Sequence, residues 1–214
     1  MDRSRAGVTL VELMVVVALL GVMAALSSVR LDRWMEDGRL KARVRGVADA
    51  FLLARTEALR TGDVHLVVMQ QALGTTSPLV VSRDGSLASM DCSVDESEIV
   101  HALGEAPGVS WGTSPGQSAG TIAPDDQGLA TGNVAEGSSF TDASRISLNG
   151  ATWIAFTPDG MPRLFSPAAC GSLGSVGQGA GAVYLTNQVR DYAVVLSPLG
   201  TVRVHAWDGT SWTL

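Results

Sequence analysis

Val8 to Val29 is a run of 22 residues with a single charge, Glu12. At 1.5 Å per residue such a run, folded as a helix, reaches ~33 Å, enough to cross the hydrocarbon of a bilayer. An ionised carboxylate inside hydrocarbon costs about 2.5–3.5 kcal/mol even on lenient insertion scales. The run therefore tolerates Glu12 only near an interface or with a dedicated partner. Ahead of it Arg3 and Arg5 stand against one acid, Asp2, which keeps the amino terminus cytoplasmic and sends the bulk of the chain outward. Arg30, Arg33, Arg39, Lys41, Arg43 and Arg45 follow the run and oppose a simple positive-inside count.

Two conventional readings compete. In a secretory signal, Leu13 to Ala25 is the apolar region and Ala25-Leu26-Ser27 the cleavage site. In a plain signal anchor nothing is cut. The early Glu12 and the helical periodicity that continues past the run count against the first. Leu40, Val44, Val47, Phe51, Ala54 and Ala58 recur every three or four residues and form one apolar stripe. Thr61-Gly62-Asp63 supplies the stop and Asp37-Gly38 the expected interruption or bend. The pattern predicts one helix of roughly 50 residues, apolar first and amphipathic later, far above ordinary globular length.

Beyond Gly62 the texture turns to short β runs. Strands are expected over 64–69, 79–82, 98–103, 144–149, 152–157, 182–186, 192–197 and 202–207. Gly74 to Pro78, Asn149-Gly150, Thr157-Pro158-Asp159-Gly160, Ser197-Pro198-Leu199-Gly200 and Asp208-Gly209 mark turns between them. Residues 110–142 and 171–181, rich in Gly, Ser and Ala, are expected as long surface loops. The fold class is α+β, a long amino-terminal helix on an antiparallel β head.

Charge is unevenly placed: Arg30–Arg60 holds eight basic and five acidic residues, Thr61–Leu214 five basic and fourteen acidic. An acidic head is a poor partner for nucleic acid, whose phosphates demand a basic surface. Cys92 and Cys170 fall in the exported part, where a disulfide persists. A bridge closing that loop stabilises by about 4 kcal/mol; two unrelated thiols are the alternative. His65, His101 and His205 lack metal-ligand spacing, and His65 and His205 sit in strand patterns as solvated or hydrogen-bonded side chains. None of the serines is taken for a nucleophile elbow, and no phosphate loop is read. Asp125-Asp126 and Asp95-Glu96 are acidic pairs compatible with calcium but commoner as solvated loop tips. Trp34, Trp111, Trp153, Trp207 and Trp212 form a sugar platform only if they meet on one face. No enzyme, metal or cofactor is expected.

Arg5-Ala6-Gly7-Val8-Thr9-Leu10-Val11-Glu12, running into the apolar segment, resembles the class III signal of type IV pilins and pseudopilins. Three further stretches resemble the GspH/FimT family of minor pseudopilins. They are the helix end Ala54-Arg55-Thr56-Glu57-Ala58, the hairpin Phe156-Thr157-Pro158-Asp159-Gly160, and the closing pair Leu196 to Arg203. The resemblance implies cleavage by prepilin peptidase between Gly7 and Val8 and N-methylation of Val8. It implies that Glu12 meets the amino terminus of a neighbouring subunit during assembly. Val8 departs from the Phe, Met or Leu usual there. The expected layout is a leader at 1–7, a membrane and filament-core helix at 8–29, an amphipathic continuation at 30–61 and a periplasmic β head at 62–214. The implied partners are prepilin peptidase, other pilins or pseudopilins at a filament tip, and the bacterial inner membrane. The resemblance does not choose between a type II secretion pseudopilus and a type IV pilus. Where some FimT-like members carry a basic Gly-Arg-x-Arg patch, this chain has Gly200-Thr201-Val202-Arg203, keeping only Arg203. The alternative function is a membrane-anchored or secreted periplasmic β binding module for carbohydrate or protein.

Overall fold

The computed structural model describes residues 9–69, 79–141, 152–165 and 173–214, with the side chains of 24–33 and 152–153 outside the description. Two compact units divide the chain, Met1–Gly38 and Arg39–Leu214. A single helix, α1 (Leu10–Thr61), contributes to both. Its backbone stays helical through Asp37-Gly38, where the sequence suggested an interruption, although the unit boundary falls there. The helix ends where expected: Gly62 takes a positive φ of 76° and donates its N–H to Ala58 O at 3.0 Å.

In the first unit the large apolar side chains from Leu10 to Met23 are all exposed. In the second, the expected stripe is the centre of the core. Leu40, Val44, Val47, Phe51, Ala54 and Ala58 are buried, and they pack against two five-stranded antiparallel sheets. The first sheet has the order β3 (Ile99–Leu103), β2 (Leu79–Arg83), β1 (His65–Met69), β5 (Thr152–Phe156), β6 (Pro162–Leu164). The second runs β10 (Trp212–Thr213), β9 (Val202–Trp207), β8 (Asp191–Leu196), β7 (Gly181–Thr186), β4 (Ser110–Trp111). Period-two alternation decides which side chains meet α1. Val67, Met69, Val81, Ile154 and Phe156 face it from the first sheet, and Val183, Leu185, Val194 and Leu196 from the second.

Both sheets also bury their opposite faces in part. Leu66, Val68 and Ala155 gather with Cys92 and Phe165; Tyr184, Ala193 and Val195 gather with Ala123, Val134 and Trp212. The cover over the second sheet comes from 110–142, the stretch expected to be a loose surface loop. It holds β4, a 3₁₀ turn at Thr131–Glu136 and an isolated bridge from Ser138 to Val183. Asp191, fully buried, holds it by accepting the N–H groups of Ser114 and Ser118 and, at 2.6 Å, the Ser118 hydroxyl. Asp126 accepts the Tyr184 hydroxyl at 2.7 Å and the Ser139 hydroxyl at 2.7 Å, and Trp212 Nε1 donates to Thr121 O. The expected strand at 144–149, its Asn149-Gly150 turn and the turn at 74–78 lie outside the described residues.

Candidate processing and assembly segment

Gly7 and Val8 lie outside the described residues, which open at Thr9. Thr9 is the cap of α1: its Oγ1 accepts the Glu12 N–H at 3.3 Å and its carbonyl accepts the Leu13 N–H at 3.1 Å. Thr9-Leu10-Val11-Glu12 is thus the Thr-x-x-Glu order of a capping box. Glu12, in the first helical turn and exposed, lies at the positive end of the helix dipole, which favours a carboxylate there. Eleven large apolar side chains, from Leu10 to Met23, surround it with no cover of their own. Left in water they forfeit on the order of 10 kcal/mol of burial, comparable to the stability of a whole domain. Among the described residues no helix is long and apolar enough to cross a membrane.

In the head, two of the sequence stretches meet on the third. The turns 157–160 and 197–200 converge beside the end of α1. Arg55 Nη1 donates to Gly200 O at 3.0 Å, and Leu59 packs on Gly160. Gly200 has φ +76°, and a Cβ there would lie 2.9 Å from the Gly160 carbonyl oxygen and 3.3 Å from Arg55. Farther up the helix Arg43 is buried over the Trp111 ring, 5.5 Å from its centroid, and donates to Leu103 O and Gly104 O. Burial lowers its pKa to about 10. It fixes the connection after β3 on α1.

Cys92 is disulfide-bonded and sits in the core behind the first sheet; Cys170 lies outside the described residues. Asp84, also buried, accepts the backbone N–H groups of Asp91 and Cys92 and so shapes the cysteine's loop. Its carboxyl is pushed up to about 6, chiefly by burial. Asp84, Asp91 and Glu98 bring carboxylate oxygens within 4.8 Å of one another, a trio with the donor chemistry for a cation that spacing alone did not reveal. The pairs singled out in sequence behave otherwise. Asp125 is ion-paired with Arg203 at 2.5 Å and Asp126 is a staple for Tyr184 and Ser139, while Asp95 and Glu96 are exposed.

His65 and His205 are buried; His65 is hydrogen-bonded, one of the two forms expected of it, whereas His205 is neither solvated nor hydrogen-bonded among the described residues. His65 Nδ1 lies 3.3 Å from Asp63 O; neither His205 ring nitrogen has a hydrogen-bond partner among the described residues. Burial lowers both pKa values. His65 lies on the face of β1 that meets α1, as Val67 and Met69 do, beside Glu57, Arg60 and Thr61 of the helix end, whereas His205 shares the outer face of the second sheet with Trp207. His101, on the edge strand β3, is exposed. Residues 112–116 and 116–120 are two overlapping Gly-x-Ser-x-Gly runs, the spacing of a nucleophile elbow. Their serines, Ser114 and Ser118, are buried and bound to Asp191 as loop anchors. Of the described tryptophans, Trp34 belongs to the first unit, Trp111 packs under Arg43, and Trp207 meets Trp212 edge-on at 5.4 Å. The side chain of Trp153 lies outside the described residues.

The class defined so far is an α+β protein whose long amino-terminal helix and antiparallel sheets are consistent with a pilin-like fold. The profile of the prokaryotic N-terminal methylation motif matches residues 2–28. That motif supports a pilin- or pseudopilin-type protein processed by prepilin peptidase. No curated protein and no solved structure matches the chain.

Proposed function

We propose that this chain is a minor pseudopilin of the GspH/FimT kind. In this reading it is cleaved after Gly7, methylated on Val8, held in the bacterial inner membrane with its head in the periplasm, and built into a type II secretion pseudopilus or type IV pilus. The observation that carries the proposal is one conjunction. The methylation motif at 2–28 leads into a capped helix with a lone early carboxylate and an uncovered apolar surface.

The apolar surface asks for lipid before assembly and for neighbouring helices after it. Leu10 to Val29 is 20 residues, ~30 Å of helix, with Glu12 near its cytoplasmic start. In a filament core Glu12 and the Val8 ammonium of the next subunit offset each other's burial cost, because two opposite charges in low dielectric attract strongly. Only one axial register brings them together, so the pair also sets the spacing of subunits. The head supplies the specific part: its hairpin turns dock on Arg55 and Leu59, the stretch that resembles the family's helix end.

Glu12 makes its described contact with Thr9 alone, within the first unit. Glu12→Ala therefore leaves the thermal melting of the head unchanged but removes the chain from sheared filament fractions, scored by immunoblot against wild type. Normal incorporation of a stable Glu12→Ala chain overturns the assembly role. A binding module, the alternative reading, tolerates that change and instead loses ligand when tryptophans are removed.

A further inference from the structure

Trp34 is the last aromatic side chain of α1 before the head's core begins at Leu40, and it is 74% exposed. Met35 beside it is 39% exposed. An indole this bare, on a helix and away from any core, calls for an explanation outside the chain's own packing. Its position along the helix supplies one. Trp34 follows Leu10 by 24 residues, ~36 Å of rise, which is the hydrocarbon thickness plus part of one headgroup layer.

The neighbouring sequence fits the same depth. Arg30 and Arg33 precede Trp34, and Arg39 and Lys41 follow it, interleaved with Asp32, Glu36 and Asp37, so the stretch is mixed in charge with a surplus of one positive. Among these charges the long arginine and lysine side chains are the ones able to extend toward lipid phosphate from either side of the boundary. Indole prefers that boundary because its ring is apolar and its N–H finds acceptors among headgroups and water.

We propose that Trp34 is an interfacial anchor whose indole lies in the headgroup layer on the head side of the bilayer. It sets the depth at which α1 rests before assembly. The basic residues around it, which contradict a positive-inside count, then serve as headgroup ligands on the exported side. The proposal rests on the membrane placement proposed above.

The test uses the full chain reconstituted in phosphatidylcholine–phosphatidylglycerol vesicles. The acyl chains carry bromine either close to the headgroup or near the bilayer centre. The emission difference between wild type and Trp34→Phe isolates Trp34 from the other tryptophans, and flotation shows whether the chain is membrane-bound. Flotation with shallow bromines quenching the Trp34 emission roughly twofold more than deep ones supports the anchor. Flotation with Trp34 unquenched by either lipid, or quenched more by deep bromines, overturns it while leaving the membrane placement intact. A chain that does not float overturns both.

Discussion

Gly200→Ala tests the junction at which the head's turns meet the helix. Three costs add. An L-residue at φ +76° costs about 1–2 kcal/mol relative to glycine. The new methyl would sit 2.9 Å from the Gly160 carbonyl oxygen, a backbone atom that moves only with its turn. Any movement of Gly200 then lengthens its 3.0 Å bond from Arg55, and a charged hydrogen bond is worth about 1.5–3 kcal/mol. The expected loss is about 2–4 kcal/mol, or roughly 5–12 °C in melting temperature for a domain of this size. Gly62→Ala is the matched control: the same φ of +76°, but open space around the new methyl. It should cost only the conformational part, about 1–2 kcal/mol. The assay is urea unfolding of the full chain in detergent, followed by the near-ultraviolet tryptophan signal. Equal losses for the two variants would refute the claim that close approach of the two turns to α1 holds the head together.

Asp191→Ala should cost about 3–5 kcal/mol, because it strands buried donors of Ser114 and Ser118; Asp191→Asn, which keeps an acceptor, should cost less in the same urea titration. Stability also depends on pH with a sign fixed by burial. His65 and His205 have folded pKa values below the ordinary histidine value. Their contribution is complete above pH 6.5 and is lost as pH falls through the folded values. His65→Gln and His205→Gln should each flatten that acid-side loss. Asp84 acts oppositely: its pKa, raised to about 6, gives stability as pH falls from that value toward 3.8. Asp84→Asn should therefore steepen the net loss on acidification, and a flatter profile contradicts the assignment.

The helix was legible because its signals are local. One stripe from Leu40 to Ala58 has the right period, and Gly62 sits where a left-handed cap is needed. The longer strands were legible for the same reason, since Val67, Val194 and their neighbours alternate or are continuously apolar. β4, β6 and β10 were not: two or three residues carry no period. The order of 110–142 was hidden because its anchors, Asp191 and Tyr184, lie far away in sequence, and a Gly- and Ser-rich composition gives no sign of them. The same covering layer buries His205, while His65 is buried on the α1 face of the first sheet; alternation placed both on strands without showing what covers them. At the amino end Glu12 was legible as a charge out of place, whereas the capping bond from Thr9 needed coordinates.

The central claim, a prepilin processed and carried into a filament, is met most directly by the amino terminus itself. Intact mass and amino-terminal peptide mapping of the protein from native membranes should give a chain that begins with N-methylated Val8. A chain beginning near Ser27 or Ser28 contradicts the account, because it leaves an exported β domain without Glu12 or the helix that assembly requires.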